Sequence, residues 1–207
     1  YTTLFRSRMC NKSVDILLIF SLPIVFFSII FASHIIKIIA GVGYENAILP
    51  MQIIMPLLFI IGYEQIIVIQ ILTSMKYDKA VLINSSLGAI IALIANLILV
   101  PHYQSVGSSI VWLISEITVL LSAQYFSKKY IQFKFPLKQI STHLLAAIPI
   151  VILLIIISKI PMNYILNFML GAGVCAIYYG VLLVKGLCPS WIRIQIQQKL
   201  LNIKKKN

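Results

Sequence analysis

Two carboxylic acids stand inside long apolar runs. Glu64 lies 14 residues after Pro50 and 8 before Leu72, and Glu116 lies midway through the apolar stretch 108–126. A charged side chain at the bilayer centre costs at least about 2.5–3.5 kcal/mol, so such residues face an aqueous cavity or a partner. A carboxyl deprived of water suits proton uptake and release; the plain alternative is a protonated acid bonded between helices. Gln52, Tyr63 and Gln70 share one stripe, since offsets of 11 and 18 residues turn a helix by about 20° and 0°. Glu64 lies roughly 100° from that stripe and is expected to meet a different neighbour. Asn84 and Asn96 add amides that serve either a cavity or interhelical glue. Lys37, with His34, lies at the rim of the first apolar run, where it either receives an anionic headgroup or snorkels. The candidates for a substrate cavity or ion coupling are Glu116, Glu64, Gln70, Tyr63, Asn96, Asn84 and Lys37.

Other chemistry finds no pattern. Cys10, Cys175 and Cys188 show no CxxC spacing and read as buried or juxtamembrane thiols. His34, His102 and His143 are far apart and form no HExxH motif. No metal, no cofactor and no catalytic triad is expected, and the chain is not read as an enzyme.

These side chains need elements that hold them in a bilayer. The 207 residues are 60% hydrophobic and 11% charged, with a mean hydropathy of +1.00, where soluble domains carry about 25% charged residues. That balance excludes an ordinary water-soluble fold, a disordered chain and a disulfide-stapled secreted module. Seventeen Lys and Arg against 5 Asp and Glu give +12. The cations fill short gaps between apolar runs instead of one face, so no nucleic acid is expected as a partner. About 20 apolar residues cross the ~30 Å hydrocarbon core as a helix. Six stretches qualify: 14–33, 50–72, 81–100, 108–126, 140–157 and 164–184. Runs this continuous exclude barrel strands, which alternate. The predicted fold is an all-α membrane protein of six transmembrane helices within residues 8–188, with the lipid bilayer around it.

Fifteen Lys and Arg fall in the terminal segments and in the gaps after the second and fourth stretches, against Lys37 and Lys159 elsewhere. Cytoplasmic loops collect such residues, so both ends are predicted to face the cytoplasm. Residues 1–7 back-translate to the end of a sequencing-library adapter and read as a scar on a chain whose N-terminal part is missing. The basic tail 189–207 mixes Trp191, Ile194, Leu200 and Leu201 with Gln and Lys, and is predicted to lie along the inner leaflet. The alternation of Ile131, Phe133 and Phe135 with Gln132 and Lys134 reads similarly.

Small residues let membrane helices approach. Gly88, Ala92 and Asn96 are spaced by four, as are Ala172, Ala176 and Gly180; Ser108, Ser115 and Ser122 form another stripe, with Ser109, Glu116 and Ala123 beside it. The third, fourth and sixth stretches are therefore predicted to pack, and the almost wholly aliphatic fifth to face lipid. Pro23, Pro56 and Pro149 permit kinks; Pro56 precedes Gly62 and Glu64 in one stretch.

A run of local motifs adds a resemblance. It comprises Ile38-Ile39-Ala40-Gly41-Val42-Gly43-Tyr44-Glu45-Asn46-Ala47, Gln70-Ile71-Leu72, Leu87-Gly88-Ala89, Asn96-Leu97-Ile98-Leu99-Val100-Pro101-His102-Tyr103, Val106-Gly107-Ser108-Ser109 and Ser115-Glu116. In this order and spacing the chain resembles the oligosaccharide flippases of bacterial surface-polysaccharide pathways. These O-antigen and capsule repeat-unit exporters belong to the multidrug/oligosaccharidyl-lipid/polysaccharide exporter superfamily. Where the family pattern has a glycine after the tyrosine and alanines further on, Gln104 and Ser108-Ser109 stand here; Pro101, Tyr103, Gly107 and Glu116 keep the framework. The resemblance implies the second of two six-helix bundles, with an N-terminal six-helix half as the missing partner. It implies alternating access that turns a polyprenyl-pyrophosphate-linked oligosaccharide from the inner to the outer leaflet of the bacterial cytoplasmic membrane, often driven by an ion gradient. No cation of this chain is deep in a span, so the main pyrophosphate site is expected in the missing half.

Other classes stay open. A multidrug antiporter of the same superfamily would share the fold and the buried acids. A membrane-embedded polymerase or acyltransferase would need catalytic side chains near an interface, commonly on a large outer loop. The outer loops 34–49, 101–107 and 158–163 are short and hold no paired acid and base. A purely structural subunit would not need buried acids.

Overall fold

The computed structural model describes residues 2–185, with side chains for 6–182. Among them no strand occurs, and these residues are almost entirely helical. Hydrocarbon offers no water to backbone polar groups, and a helix satisfies them within itself. The helices are α1 (Thr2–Ile30), α2 (Ala32–Ile39), α3 (Ile48–Ile54), α4 (Leu57–Ile67), α5 (Asp78–Ile131), α6 (Leu137–Ser158) and α7 (Tyr164–Lys185). Five helical stretches are long and apolar enough to cross a membrane: Arg6–Ile30, Glu45–Met75, Asp78–Ile131, Leu137–Ser158 and Tyr164–Leu182. The tail 189–207 and Cys188 lie outside the described residues.

The 54 residues of α5 would measure about 80 Å if straight, but the helix doubles back. Ser115 Oγ donates to the Gly88 carbonyl at 3.0 Å, two groups that a straight helix would hold about 40 Å apart. At the open end the rings of Tyr77 and Tyr130 stack with centroids 3.9 Å apart. The reversal falls at Gln104, whose φ of 47° and ψ of −121° are not helical. Residues 78–103 form one arm and 105–131 the other. Close approach explains two glycines: a Cβ on Gly107 would meet the Leu99 carbonyl oxygen at 2.6 Å, and one on Gly88 would meet Val119 Cγ2 at 2.3 Å.

Helix α1 is the central post, packed against α4, α6 and α7. Two cores form along it. One gathers Cys10, Val14 and Leu18 of α1 with Tyr63 and Ile67 of α4, Ile71, and Ala80, Leu120 and Ala123 of α5. The other, toward the opposite end of α1, gathers Phe31 with Ala147, Ile150, Leu154 and Ile157 of α6 and Cys175 of α7.

Several expectations about packing are corrected. The fifth predicted stretch is not simply lipid-facing: α6 buries Ala147, Ile150, Leu154 and Ile157, while Leu145, Ile152 and Ile156 stay exposed. Its aliphatics serve both surfaces because Ile and Leu fit protein and lipid alike. Conversely, Ala176 and Gly180 of α7 are exposed, and the close contact is made by Gly171, where a Cβ would meet Phe31 Cζ at 2.4 Å. On the first arm of α5 the buried residues are Ala80, Asn84 and Gly88, and the stripe opens at Asn96. In the segment 132–136, Gln132, Lys134 and Phe135 are exposed while Phe133 and Pro136 turn inward. Phe133 is buried in the first core, and Gln124 Nε2 donates to its carbonyl at 2.9 Å. Residues 34–39, read as the start of an outer loop, are helical and belong to α2, which packs against α7.

Candidate functional site

The site is built on α4, a short helix between two irregularities. Pro56 has no N–H and ends the ladder of α3, so α4 starts afresh at Leu57. After Ile67 the chain widens into a π turn over Val68–Leu72, a form found mainly as single turns at functional positions. Between these breaks, Gly62 lets α4 approach α1: a Cβ there would lie 2.4 Å from Leu17 Cδ1. That approach withdraws Tyr63 and Glu64 from solvent, at 0% and 5% exposure.

Both oxygens of Glu64 are engaged. Asn84 Nδ2, from the first arm of α5, donates to Oε1 at 3.2 Å, and Gln65 Nε2 donates to Oε2 at 2.8 Å. Two donors on two oxygens suit the carboxylate, and charge-assisted bonds of about 1.5–3 kcal/mol each recover part of the cost of burying it. Asn84 is 1% exposed and its Oδ1 has no partner. Rotation of that amide would present Oδ1 to a protonated Glu64, so the pair can serve both protonation states by one side-chain flip. Glu116 lies close enough for its charge to act on Glu64. It is half-buried on the second arm of α5, and Trp112 Nε1 donates to its Oε1 at 3.2 Å.

The stripe of Gln52, Tyr63 and Gln70 is shared between two neighbours. Gln52 Nε2 donates to the Ile29 carbonyl at 3.0 Å and Gln70 Nε2 to Ser13 Oγ at 2.8 Å, both on α1. Tyr63 instead donates to Gln124 Oε1 at 2.6 Å, joining α4 to the second arm of α5. Glu64 thus meets a different element from the two glutamines. Asn96 is exposed further along the first arm, and Lys37 is exposed on α2. The structure therefore brings Asn84 onto Glu64 with Glu116 in electrostatic reach, ties Tyr63 to Gln124 and Gln70 to α1, and leaves Asn96 and Lys37 apart from them.

Sequence reasoning missed Gln124, Gln65, Ser13 and Trp112. Gln124 had a usable signal, an amide near the end of an apolar run. Gln65 and Trp112 also had one, since each stands one residue or one helical turn from an acid it donates to, Glu64 and Glu116; only Ser13 gains its importance from a distant neighbour, Gln70. Comparison with protein-family models, with curated proteins and with solved structures returned no match.

Proposed function

We propose that this chain is half of a membrane transporter that moves polyprenyl-pyrophosphate-linked oligosaccharide repeat units between leaflets by alternating access, for bacterial surface-polysaccharide synthesis. The single observation that carries the reading is the Glu64–Asn84 pair, with Glu116 in electrostatic reach: a carboxyl held by invertible amide chemistry inside an apolar bundle. A purely structural contact there could be made by Leu and Val at no desolvation cost. In this reading each arm of α5 crosses the bilayer separately, which gives six spans with both ends on the cytoplasmic side of the inner membrane. The hairpin geometry of α5 supports that count, and the Lys and Arg distribution supports that orientation. A sugar chain cannot cross hydrocarbon unaided, since each unpaired buried hydroxyl costs several kcal/mol. The exposed face of α5, with Ser85, Asn96 and Tyr103, offers polar groups to such a cargo when a second six-helix half stands opposite.

The break at Pro56 and the π turn at 68–72 favour transport over a static role, because they let α4 shift without unwinding α3 or α5. The test is export of lipid-linked repeats in cells carrying the full-length gene with Glu116→Gln or Glu64→Gln. Export is expected to fall at least tenfold, and undiminished export in both variants overturns the reading. Efflux of a cationic dye with no effect on lipid-linked sugar would identify the antiporter of the same superfamily instead.

A further inference from the structure

A second polar region lies away from the Glu64 cluster, where α2, the end of α6 and the start of α7 meet. It is a cavity of about 460 Å³ whose lining includes Ser33, His34, Lys37, Ser158, Asn163 and Asn167. No carboxylate is among its lining residues. Glu45 is within electrostatic reach of Lys37, but one of its oxygens accepts the Gly43 N–H at 3.4 Å, which ties it to its own turn. Burial, reinforced by the Lys37 charge, holds His34 below its ordinary range; a bound anion would relieve that pressure.

The donors around the cavity outnumber the free acceptors. The last carbonyls of α6 would repel an anion, yet they are occupied: Ile155 by Ser158 Oγ, Ile156 by Lys159 N–H and Ile157 by Ile160 N–H. The α7 N-terminus presents its backbone N–H groups and the positive end of the helix dipole there. Asn163 Oδ1 takes one of these, the Ile165 N–H, at 3.1 Å. One acceptor is left over. Asn167 is 2% exposed; its Nδ2 is spent on the Ile160 carbonyl at 3.2 Å, and its Oδ1 has no partner. A ligand that satisfies this set brings an anion for Lys37 and a hydroxyl for Asn167. Beside the cavity Ile39, Ile165, Leu166 and Met169 are exposed at 78%, 50%, 55% and 63%, an apolar surface on which acyl chains can lie.

The geometry points to a binding site for the headgroup of a hydroxyl-bearing anionic phospholipid, of the phosphatidylglycerol class, in the cavity between α2, α6 and α7. The phosphodiester pairs with Lys37 and the α7 N-terminus, the glycerol hydroxyl donates to Asn167 Oδ1, and the chains run down α7. The inference needs a bilayer around the helices and is independent of the cargo proposed above.

The test is thermal unfolding of the purified 207-residue chain in a zwitterionic detergent. Short-chain phosphatidylglycerol, phosphatidylcholine of the same chain length and glycerol phosphate are each titrated in. Phosphatidylglycerol is expected to raise the midpoint by several degrees more than phosphatidylcholine does, and glycerol phosphate to have no effect. Lys37→Gln should reduce the gain to the phosphatidylcholine level. Lys159→Gln, at the same rim but outside the cavity lining, should keep it. Equal gains from the two lipids, or a full gain in Lys37→Gln, overturns the site. A gain from glycerol phosphate equal to that from the lipid assigns the cavity to a free phosphate monoester and overturns the lipid.

Discussion

Asn84 Nδ2 and Glu64 Oε1, 20 residues apart in the chain, meet at 3.2 Å and bind the first arm of α5 to α4 at the most deeply buried acid among the described residues. Removing one member leaves the other buried without its partner, which costs about 1–3 kcal/mol. Asn84→Leu is therefore expected to lower unfolding stability in detergent by that amount. Glu64→Gln, which keeps an acceptor for Asn84, should cost less. In the double variant Glu64→Gln/Asn84→Leu the losses should fail to add, with a coupling of about 0.5–3 kcal/mol. Strict additivity would mean that the bond does not form.

The hairpin apex gives opposite signs at neighbouring positions. Gln104 has a φ of 47° with ψ of −121°, a region glycine occupies without penalty and other residues reach only at about 1–3 kcal/mol. Gln104→Gly is expected to stabilise the chain by about 1 kcal/mol or more. Gly107→Ala forces a methyl against the Leu99 carbonyl oxygen, 2.6 Å from the ideal Cβ, and should destabilise by about 1–3 kcal/mol. Denaturation midpoints of the two variants should move in opposite directions.

Tyr63 and Gln124 form a relay from α4 to the segment after α5, because Gln124 accepts from Tyr63 and donates to the Phe133 carbonyl. Tyr63→Phe removes one bond and should cost about 1 kcal/mol. Gln124→Leu removes both and orphans the Tyr63 hydroxyl and the Phe133 carbonyl, so its loss should be clearly larger. If Tyr63→Phe is the more damaging, the relay is wrongly drawn.

Tyr179 on α7 has a buried hydroxyl without a partner, which costs stability while contributing no bond. Tyr179→Phe should be neutral or stabilising by up to about 1 kcal/mol. Tyr178 donates to the Ala146 carbonyl at 2.8 Å, so Tyr178→Phe should lose about 1 kcal/mol. The two neighbouring tyrosines thus give a contrast that a general loss of hydroxyls would not.

Topology has a direct test in single cysteines. With Cys10, Cys175 and Cys188 changed to Ser, a cysteine replacing Gln104 is expected to react with an impermeant maleimide from outside the cell. One replacing Lys76 should react only after permeabilisation. Labelling of both from one side would mean that the arms of α5 do not cross the bilayer.

The hydrophobic runs alone indicated an all-α chain, and their ends were legible where a polar break was strong: α7 and α6 begin and end within a few residues of the stretches read from composition. Glu64 and Asn84 were legible as candidates because a polar group in an apolar run is costly wherever it lands. Their pairing was not, since both Asn84 and Asn96 fit the same kind of helix face. Which stripes pack was read least well. Ala172, Ala176 and Gly180 have the right spacing for contact, yet the contact falls to Gly171 because Phe31 projects there. Small residues permit an approach without requiring one.

What the sequence determined by itself is a matter of solvation. Apolar length forces helices, clustered cations mark the gaps between them, and buried acids must find donors. Each of these follows from the transfer energy of residues taken along the chain. The tertiary structure decided the partnerships: Glu64 with Asn84, Tyr63 with Gln124, and the reversal at Gln104 that stacks Tyr77 on Tyr130. Such choices depend on how whole helices pack around α1, where several pairings have similar local energy and only the mutual fit of all the surfaces selects one.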